Sequence, residues 1–220
     1  MSTKTDKAKC YIFGAGDFTI CEVPVTDEDY VIAVDGGLCY CGLLGIEPDL
    51  ILGDFDSLSD EELLAVEKLK ETIPERIVTL PCEKDDTDMF AAIKYAQDEG
   101  YRDFRIYGGM GGRFDHTFAN IQCLLYLKNH NAKGFLVDGM GMMFVIQNES
   151  VHLCRKLEGT MSLFCLGEKA KGVSIRNMKY PLDGYDMRND EPIGISNEFI
   201  GEECEISVED GSLLCMITYS

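Results

Sequence analysis

Up to about residue 138 the chain alternates two kinds of hydrophobic pattern. Short apolar runs at Cys10–Phe13, Val31–Val34, Leu50–Leu52, Arg76–Leu80, Phe104–Tyr107 and Phe135–Val137 are rich in β-branched and aromatic residues. They show little polar alternation, as strands covered on both faces do. Segments of helical period lie between them. One opens with Ser59-Asp60-Glu61-Glu62, a capping box in which Ser59 and Glu62 satisfy free amides, and sets Leu63, Val66 and Leu69 on one face. A second places Met89, Ala92, Ile93 and Ala96 at i, i+3, i+4 and i+7 and stops at Gly100. A third is expected after Asp115 as N-cap, with Phe118, Ile121 and Leu125 facing one way. Strands alternating with helices predict a parallel α/β sheet.

Past about residue 140 the helical period disappears. Met143–Ile146, Val151–Cys154, Thr160–Cys165, Val173–Ile175, Cys204–Val208 and Leu213–Thr218 are short strand candidates separated by Gly, Asn, Asp and Pro, and Asp210-Gly211 has the composition of a hairpin turn. The expected organisation is an α/β domain over residues 1–138 and a smaller antiparallel β domain over residues 139–220.

In open parallel sheets ligands gather outside the carboxyl ends of the strands. Here three of those ends are acidic. Val31–Val34 runs into Asp35-Gly36-Gly37, Leu50–Leu52 into Gly53-Asp54-Phe55-Asp56-Ser57, and Arg76–Leu80 is followed by Glu83-Lys84-Asp85-Asp86-Thr87-Asp88. Carboxylates brought together repel unless a cation joins them, and hard oxygen donors without nearby His or Cys suit Mg²⁺. Asp88 also falls in a first helical turn, where free amides favour an anion. A fourth strand end carries Gly108-Gly109-Met110-Gly111-Gly112-Arg113-Phe114-Asp115-His116. Such a loop lets backbone amides approach a ligand closely and delivers the Arg113 fork, suited to phosphate. A metal-assisted phosphoryl-transfer site follows. His116 fits acid–base work and packing equally well. Gly14-Ala15-Gly16 follows a strand as a dinucleotide fingerprint would, but Thr19 stands where a third glycine belongs, and that segment is set aside. No P-loop sequence occurs.

Charge and composition narrow the partners. Twenty Lys and Arg against 39 Asp and Glu leave a net charge of −19, a field that repels nucleic-acid backbones. No stretch approaches the roughly 18 apolar residues of a membrane span, and no apolar signal core opens the chain, so the cytosol is the expected compartment. The ten cysteines include no C-x-x-C pair and read as reduced, buried thiols.

Taken in order, these segments resemble thiamine pyrophosphokinases. The pieces that carry the resemblance are Asp35-Gly36-Gly37, Gly53-Asp54-Phe55-Asp56-Ser57, Asp85-Asp86-Thr87-Asp88, and Gly111-Gly112-Arg113-Phe114-Asp115-His116 with Ala119-Asn120. In the β half they are Gly159-Thr160, Ser162-Leu163, Lys179-Tyr180-Pro181-Leu182 and Gly194-Ile195-Ser196-Asn197-Glu198. The resemblance implies a Rossmann-like α/β catalytic domain, a β-sandwich domain, and a homodimer with sites at the subunit interface. The implied reaction transfers a pyrophosphoryl group from ATP to thiamine and releases AMP. Carried over by motif, Asp35, Asp54, Asp56 and Asp88 are the Mg²⁺ carboxylates. Lys84, Asp85, Thr87, Arg113 and His116 face ATP, and Tyr180, Ser196 and Asn197 contact thiamine. Either Asp56 or Asp115 orients the attacking hydroxyl. Tyr180 stands where some members have Trp, and Glu83 where an Asp is common. Two other readings start from the same acids: a haloacid-dehalogenase-like phosphatase using Asp54 as nucleophile, and a non-catalytic module in which the acids only hold a cation.

Overall fold

The computed structural model describes residues 8–19, 22–56, 59–81 and 85–220. Two compact units result. One holds the chain up to Cys123 together with Leu136–Asp138, and the other holds Leu124–Phe135 and Gly139–Ser220.

In the first unit the short apolar runs become strands β1 (Cys10–Phe13), β2 (Tyr30–Val34), β3 (Leu50–Gly53), β4 (Ile77–Thr79) and β5 (Asp103–Tyr107), joined by the last three residues of β6 (Lys133–Asp138). Their order is β6-β5-β1-β2-β3-β4, and β5-β1, β1-β2, β2-β3 and β3-β4 all pair in parallel. β1 and β3 are buried along their whole length, as continuous apolar runs require. The segment expected to start β4 at Arg76 instead forms a 3-10 turn, Pro74–Arg76, because Pro74 presets its first φ.

Among the described residues four α-helices accompany the strands: α1 (Gly37–Leu44), α2 (Asp60–Thr72), α3 (Asp88–Asp98) and α4 (Phe114–Asn129). α1 lies outside the sequence expectation. Apolar residues and two glycines run around all of it and give no helical stripe, and it ends on Gly45 in the left-handed region. α2 starts one residue after Ser59, and the Leu63 amide donates to the Ser59 carbonyl; the Glu62 half of the expected capping box lies outside the described side chains. In α3 the expected face is the buried one: Met89, Ala92, Ile93 and Ala96. Gly100, at φ 98°, receives the chain at its end. α4 corrects the expectation twice. It begins at Phe114, so Asp115 sits inside the first turn and not at the cap. Its buried face is Asn120, Cys123, Leu124 and Leu127, while Phe118 stays 55% exposed.

The second unit is a sandwich. β7 (Gly141–Gln147), β9 (Thr160–Cys165), β14 (Ser212–Thr218) and β12 (Asn197–Glu198) form one antiparallel layer in the order β12-β9-β14-β7. β8 (Ser150–Leu153), β10 (Lys169–Arg176), β11 (Leu182–Arg188) and β13 (Cys204–Ser207) form the other, in the order β11-β10-β13-β8. Alternate side chains such as Met161, Leu163, Cys215, Val173, Ile175 and Ile206 fill the core between the layers. Asp210-Gly211 does not close a hairpin: β13 and β14 belong to different layers, so this turn carries the chain from one to the other. β11 is an unforeseen edge strand, mostly polar and exposed.

Six of the eight described cysteines are buried and all eight are free. Burial pushes the Cys41 and Cys123 thiols up to about 12, so they remain protonated. Among the described residues no helix is long and apolar enough to cross a membrane.

Candidate active site

A cleft of about 360 Å³ opens in the first unit where the carboxyl ends of β1, β2 and β5 meet the starts of α3 and α4. Gly14–Gly16, Val34, Asp35, Thr87–Met89, Gly108, Gly109 and Gly111–Arg113 line it, with His116, Ala119 and Asn120.

Its acidic side is built by strand ends. Asp35, Asp54 and Asp88 each offer a carboxylate oxygen, and these oxygens all lie within 4.8 Å of one another. Asp35 follows β2 in the left-handed region at φ 49°, with its amide donating to the Leu52 carbonyl at 3.1 Å. Phe55, also left-handed at φ 61°, buries its ring to 4% exposure and so pins the turn that presents Asp54. A non-glycine residue in this region is strained, and the buried ring holds it there. Asp88 is fixed by the cap of α3, where Thr87 Oγ1 accepts from the Phe90 amide at 3.2 Å.

Gly53 makes the approach possible. A Cβ there would stand 1.9 Å from Asp35 Oδ1, so the space a side chain would fill belongs to the carboxylate. Three partly buried carboxylates converging on one point, with oxygen donors only, fit Mg²⁺. Asp56 is exposed and outside the trio; its amide donates to Asp54 Oδ1 at 3.2 Å.

The opposite side is backbone and cation. Gly14 and Gly16, set aside in the sequence, line the cleft because the chain there runs against the β5 loop: the Gly14 amide donates to the Tyr107 carbonyl and the Gly16 amide to the Gly108 carbonyl, both at 2.8 Å. A Cβ at either glycine would meet the Gly108 carbonyl at 2.7 Å. A G-x-G after a strand was the available signal. Asn120, 7% exposed, donates to the Gly109 carbonyl at 2.7 Å and braces the loop from α4. Arg113 leaves this loop with an exposed guanidinium whose Nη2 donates to Asp115 Oδ2 at 2.7 Å and whose Nε donates to Asp115 Oδ1 at 3.2 Å. That hydrogen bond holds the Asp115 carboxyl below its usual range and raises the Arg113 guanidinium. His116 lines the cleft. Asp85 is exposed and does not line it; Lys84, Glu83 and Ser57 lie outside the described residues.

The thiamine candidates sit in the second unit. Asn197, 3% exposed, accepts from the Tyr180 amide at 2.9 Å and donates to the Tyr180 carbonyl at 2.7 Å. Most of its amide is thus spent holding Tyr180 in place. Tyr180 is 59% exposed, with the Lys179 ammonium 5.5 Å from its ring centroid. Ser196 is left-handed at φ 54°, and its amide donates to Ser162 Oγ at 3.0 Å.

Two family models match: thiamin pyrophosphokinase, catalytic domain, over residues 23–136, and thiamin pyrophosphokinase, vitamin B1 binding domain, over residues 148–213. The thiamine pyrophosphokinase of Bacillus subtilis (strain 168) is 28% identical over 191 residues, which span 86% of this chain and 87% of that one. Among solved structures, thiamine pyrophosphokinase from Bacillus subtilis superposes with a TM-score of 0.84 at 25% identity, covering 97% of this chain and all of that one. Thiamin pyrophosphokinase from Geobacillus thermodenitrificans gives 0.83 at 26% identity, covering 96% and 98%. An α/β unit matching a catalytic model and a sandwich matching a vitamin-binding model define a two-part transferase. The chain belongs to the thiamin pyrophosphokinase family. Its activity is that of the family, transfer of the pyrophosphoryl group of ATP to thiamine to give thiamine diphosphate and AMP. The phosphatase and the non-catalytic readings fall with this assignment.

Proposed function

We propose that the cleft holds ATP as its magnesium complex, with Asp35, Asp54 and Asp88 as the metal carboxylates. The observation that supports this is the trio of carboxylate oxygens within 4.8 Å of one another at the edge of a glycine-lined cleft. Magnesium bound there would neutralise phosphate charge as AMP leaves. The protein's own share is positioning. Arg113, with Lys84 beside the acidic run, supplies cationic donors to the phosphates; the Gly108–Gly112 backbone, Thr87 and His116 complete the nucleotide contacts, with Asp85 at their margin. Asp56 stands next to the trio as a fourth carboxylate, and it or Asp115 orients the thiamine hydroxyl for attack on the β-phosphorus.

In the second unit Tyr180 offers an exposed ring to the cationic thiazolium or to the pyrimidine, and Ser196 contacts the vitamin. Asn197 holds Tyr180 and adds its remaining donor capacity. The active form is a homodimer, a reading supported by exposed apolar side chains on this unit: Tyr180, Ile193, Ile195 and Ile200. The compartment is the cytosol, in keeping with eight free cysteines among the described residues.

The test is product analysis after incubation with ATP, thiamine and magnesium, for wild type and Asp54→Asn, together with sedimentation. Stoichiometric AMP and thiamine diphosphate from a dimer, lost in the variant, is expected. An Asp54→Asn enzyme with unchanged magnesium dependence refutes the metal assignment, and a fully active monomer refutes the dimer.

A further inference from the structure

Asp17 belongs to none of the motifs described above, yet its carboxylate reaches the loop that carries Arg113. Asp17 Oδ2 accepts from the Gly112 amide at 2.8 Å, across 95 residues of chain. The backbones also meet in an isolated antiparallel bridge between Asp17 and Met110. The neighbouring residue is tethered as well: the Tyr40 hydroxyl, on α1, donates to the Gly16 carbonyl at 2.8 Å. Burial, followed by the Asp17 charge, raises the Tyr40 hydroxyl above its ordinary value, so it remains a donor. Gly111 and Gly112 are both left-handed, at φ 74° and 59°. A Cβ at Gly111 would stand 2.4 Å from Asp17 Oδ2, so the loop is shaped to admit this carboxylate.

An exposed glycine loop with two left-handed residues has many conformations of similar energy. Ligand binding that has to select one of them loses affinity in proportion to the unsuited fraction. A charge-assisted hydrogen bond at Gly112, one residue before Arg113, selects one in advance. We propose that Asp17 is a positioning residue for nucleotide binding. It preorganises the Gly111-Gly112 turn, and so the Arg113 guanidinium and the start of α4, through an anchor that runs by way of Gly16 and Tyr40 to α1, the helix that follows Asp35. The inference rests on the reading of the cleft as the ATP site.

Steady-state kinetics with separately varied ATP and thiamine test it on four proteins: wild type, Asp17→Ala, Asp17→Asn and Arg113→Ala. Asp17→Ala removes the acceptor and is expected to raise the KM for ATP by about fivefold to thirtyfold, at and below the low end for a hydrogen bond to a charged group because this one is exposed. The KM for thiamine and the thermal midpoint are expected to change little. Asp17→Asn keeps an oxygen acceptor at the same place without the charge and is expected to recover about half of the effect on a logarithmic scale, leaving the ATP constant about twofold to sixfold above wild type. A general loss of structure would move both Michaelis constants and the thermal midpoint together and would not be rescued by Asn. If both Asp17 variants bind ATP more tightly, the carboxylate acts as an electrostatic barrier and the proposal is overturned. It is likewise overturned if Arg113→Ala raises the ATP constant while Asp17→Ala does not. If neither Asp17→Ala nor Arg113→Ala changes it, the proposal is overturned too, while the cleft reading stands or falls separately on the magnesium dependence of Asp54→Asn.

Discussion

Gly53→Ala is the substitution with the sharpest structural consequence. Gly53 ends β3 with an ordinary backbone, so alanine meets no conformational objection, and in a strand it even gains relative to glycine. The objection is one residue: the new Cβ would stand 1.9 Å from Asp35 Oδ1, 2.9 Å from its Cγ and 3.3 Å from its backbone nitrogen, so the severe overlap is with the carboxylate. Restoring an ordinary contact of 3.4 Å moves that carboxylate by about 1.5 Å. The obstacle is the tip of a side chain, so the stability cost belongs at the low end of overpacking, ~1 kcal/mol, or ~2–4 °C in Tm at this chain length. The functional cost is much larger. A misplacement of order 1 Å in a catalytic constellation costs about 10²-fold in rate. We expect kcat/KM to fall about a hundredfold and half-saturating magnesium to rise, with the fold retained. The assay is AMP release at varied magnesium, paired with thermal melting. Gly37→Ala supplies the contrast, since its Cβ would strike the Phe13 backbone carbonyl at 1.9 Å and nothing there can swing away; it should lose stability more than Gly53→Ala. A Gly53→Ala enzyme with kcat/KM within threefold of wild type and unshifted magnesium dependence would refute the reasoning.

Further outcomes follow from the same geometry. Magnesium at about a hundred times its Kd should stabilise the wild type by ~2.7 kcal/mol and Asp54→Asn by far less, read as Tm with and without chelator; equal shifts would place the ion elsewhere. The Asp115 carboxyl has its folded pKa lowered from 3.8 by Arg113, so the stability it contributes is present above the unfolded value and is lost as pH falls through the folded one. In Arg113→Ala its NMR titration should move back up toward 3.8, and an unmoved midpoint would show that another group sets it. Tyr180→Ala should raise the thiamine KM by an amount equivalent to ~0.5–2 kcal/mol and leave that for ATP alone; an equal rise in both would remove Tyr180 from the vitamin site. Asn197→Ala leaves the Tyr180 amide and carbonyl without their partner and should cost ~1–3 kcal/mol of stability by denaturant unfolding, more than Ser196→Ala.

The strands were legible because burial on both faces writes itself into sequence as unbroken apolar runs, and Cys10–Phe13 and Thr160–Cys165 have the bounds the pattern gives them. α3 was legible because only one of its faces is buried. α1 was not, since a helix with apolar residues all round carries no period, and neither was β11, whose exposed edge position leaves no alternation to see. α4 misled because Phe118 is apolar but exposed, while Asn120 is polar but buried, committed to the Gly109 carbonyl. In each case the residue type answers to a local partner that the one-dimensional pattern does not contain.

The site divides along the same line. Its carboxylates could be found from the rule that strand ends gather ligands, because Asp35 and Asp54 directly follow β2 and β3 and Asp88 opens α3. What holds those groups in place could not. Left-handed backbone is ordinarily announced by Gly or Asn, but here Asp35 and Phe55 adopt it, and Phe55 does so only because its ring is buried in the core under the turn. Gly14, Gly16 and Gly53 are needed for the volume that neighbouring atoms occupy and not for their own φ, a requirement visible only once two segments are side by side. Asp17 and Gly112 meet across 95 residues with no shared motif. Chemistry at this edge is therefore written in residue type, while its positioning is written in contacts. Variants that leave every carboxylate in place, such as Gly53→Ala and Asp17→Ala, are the ones that separate the two.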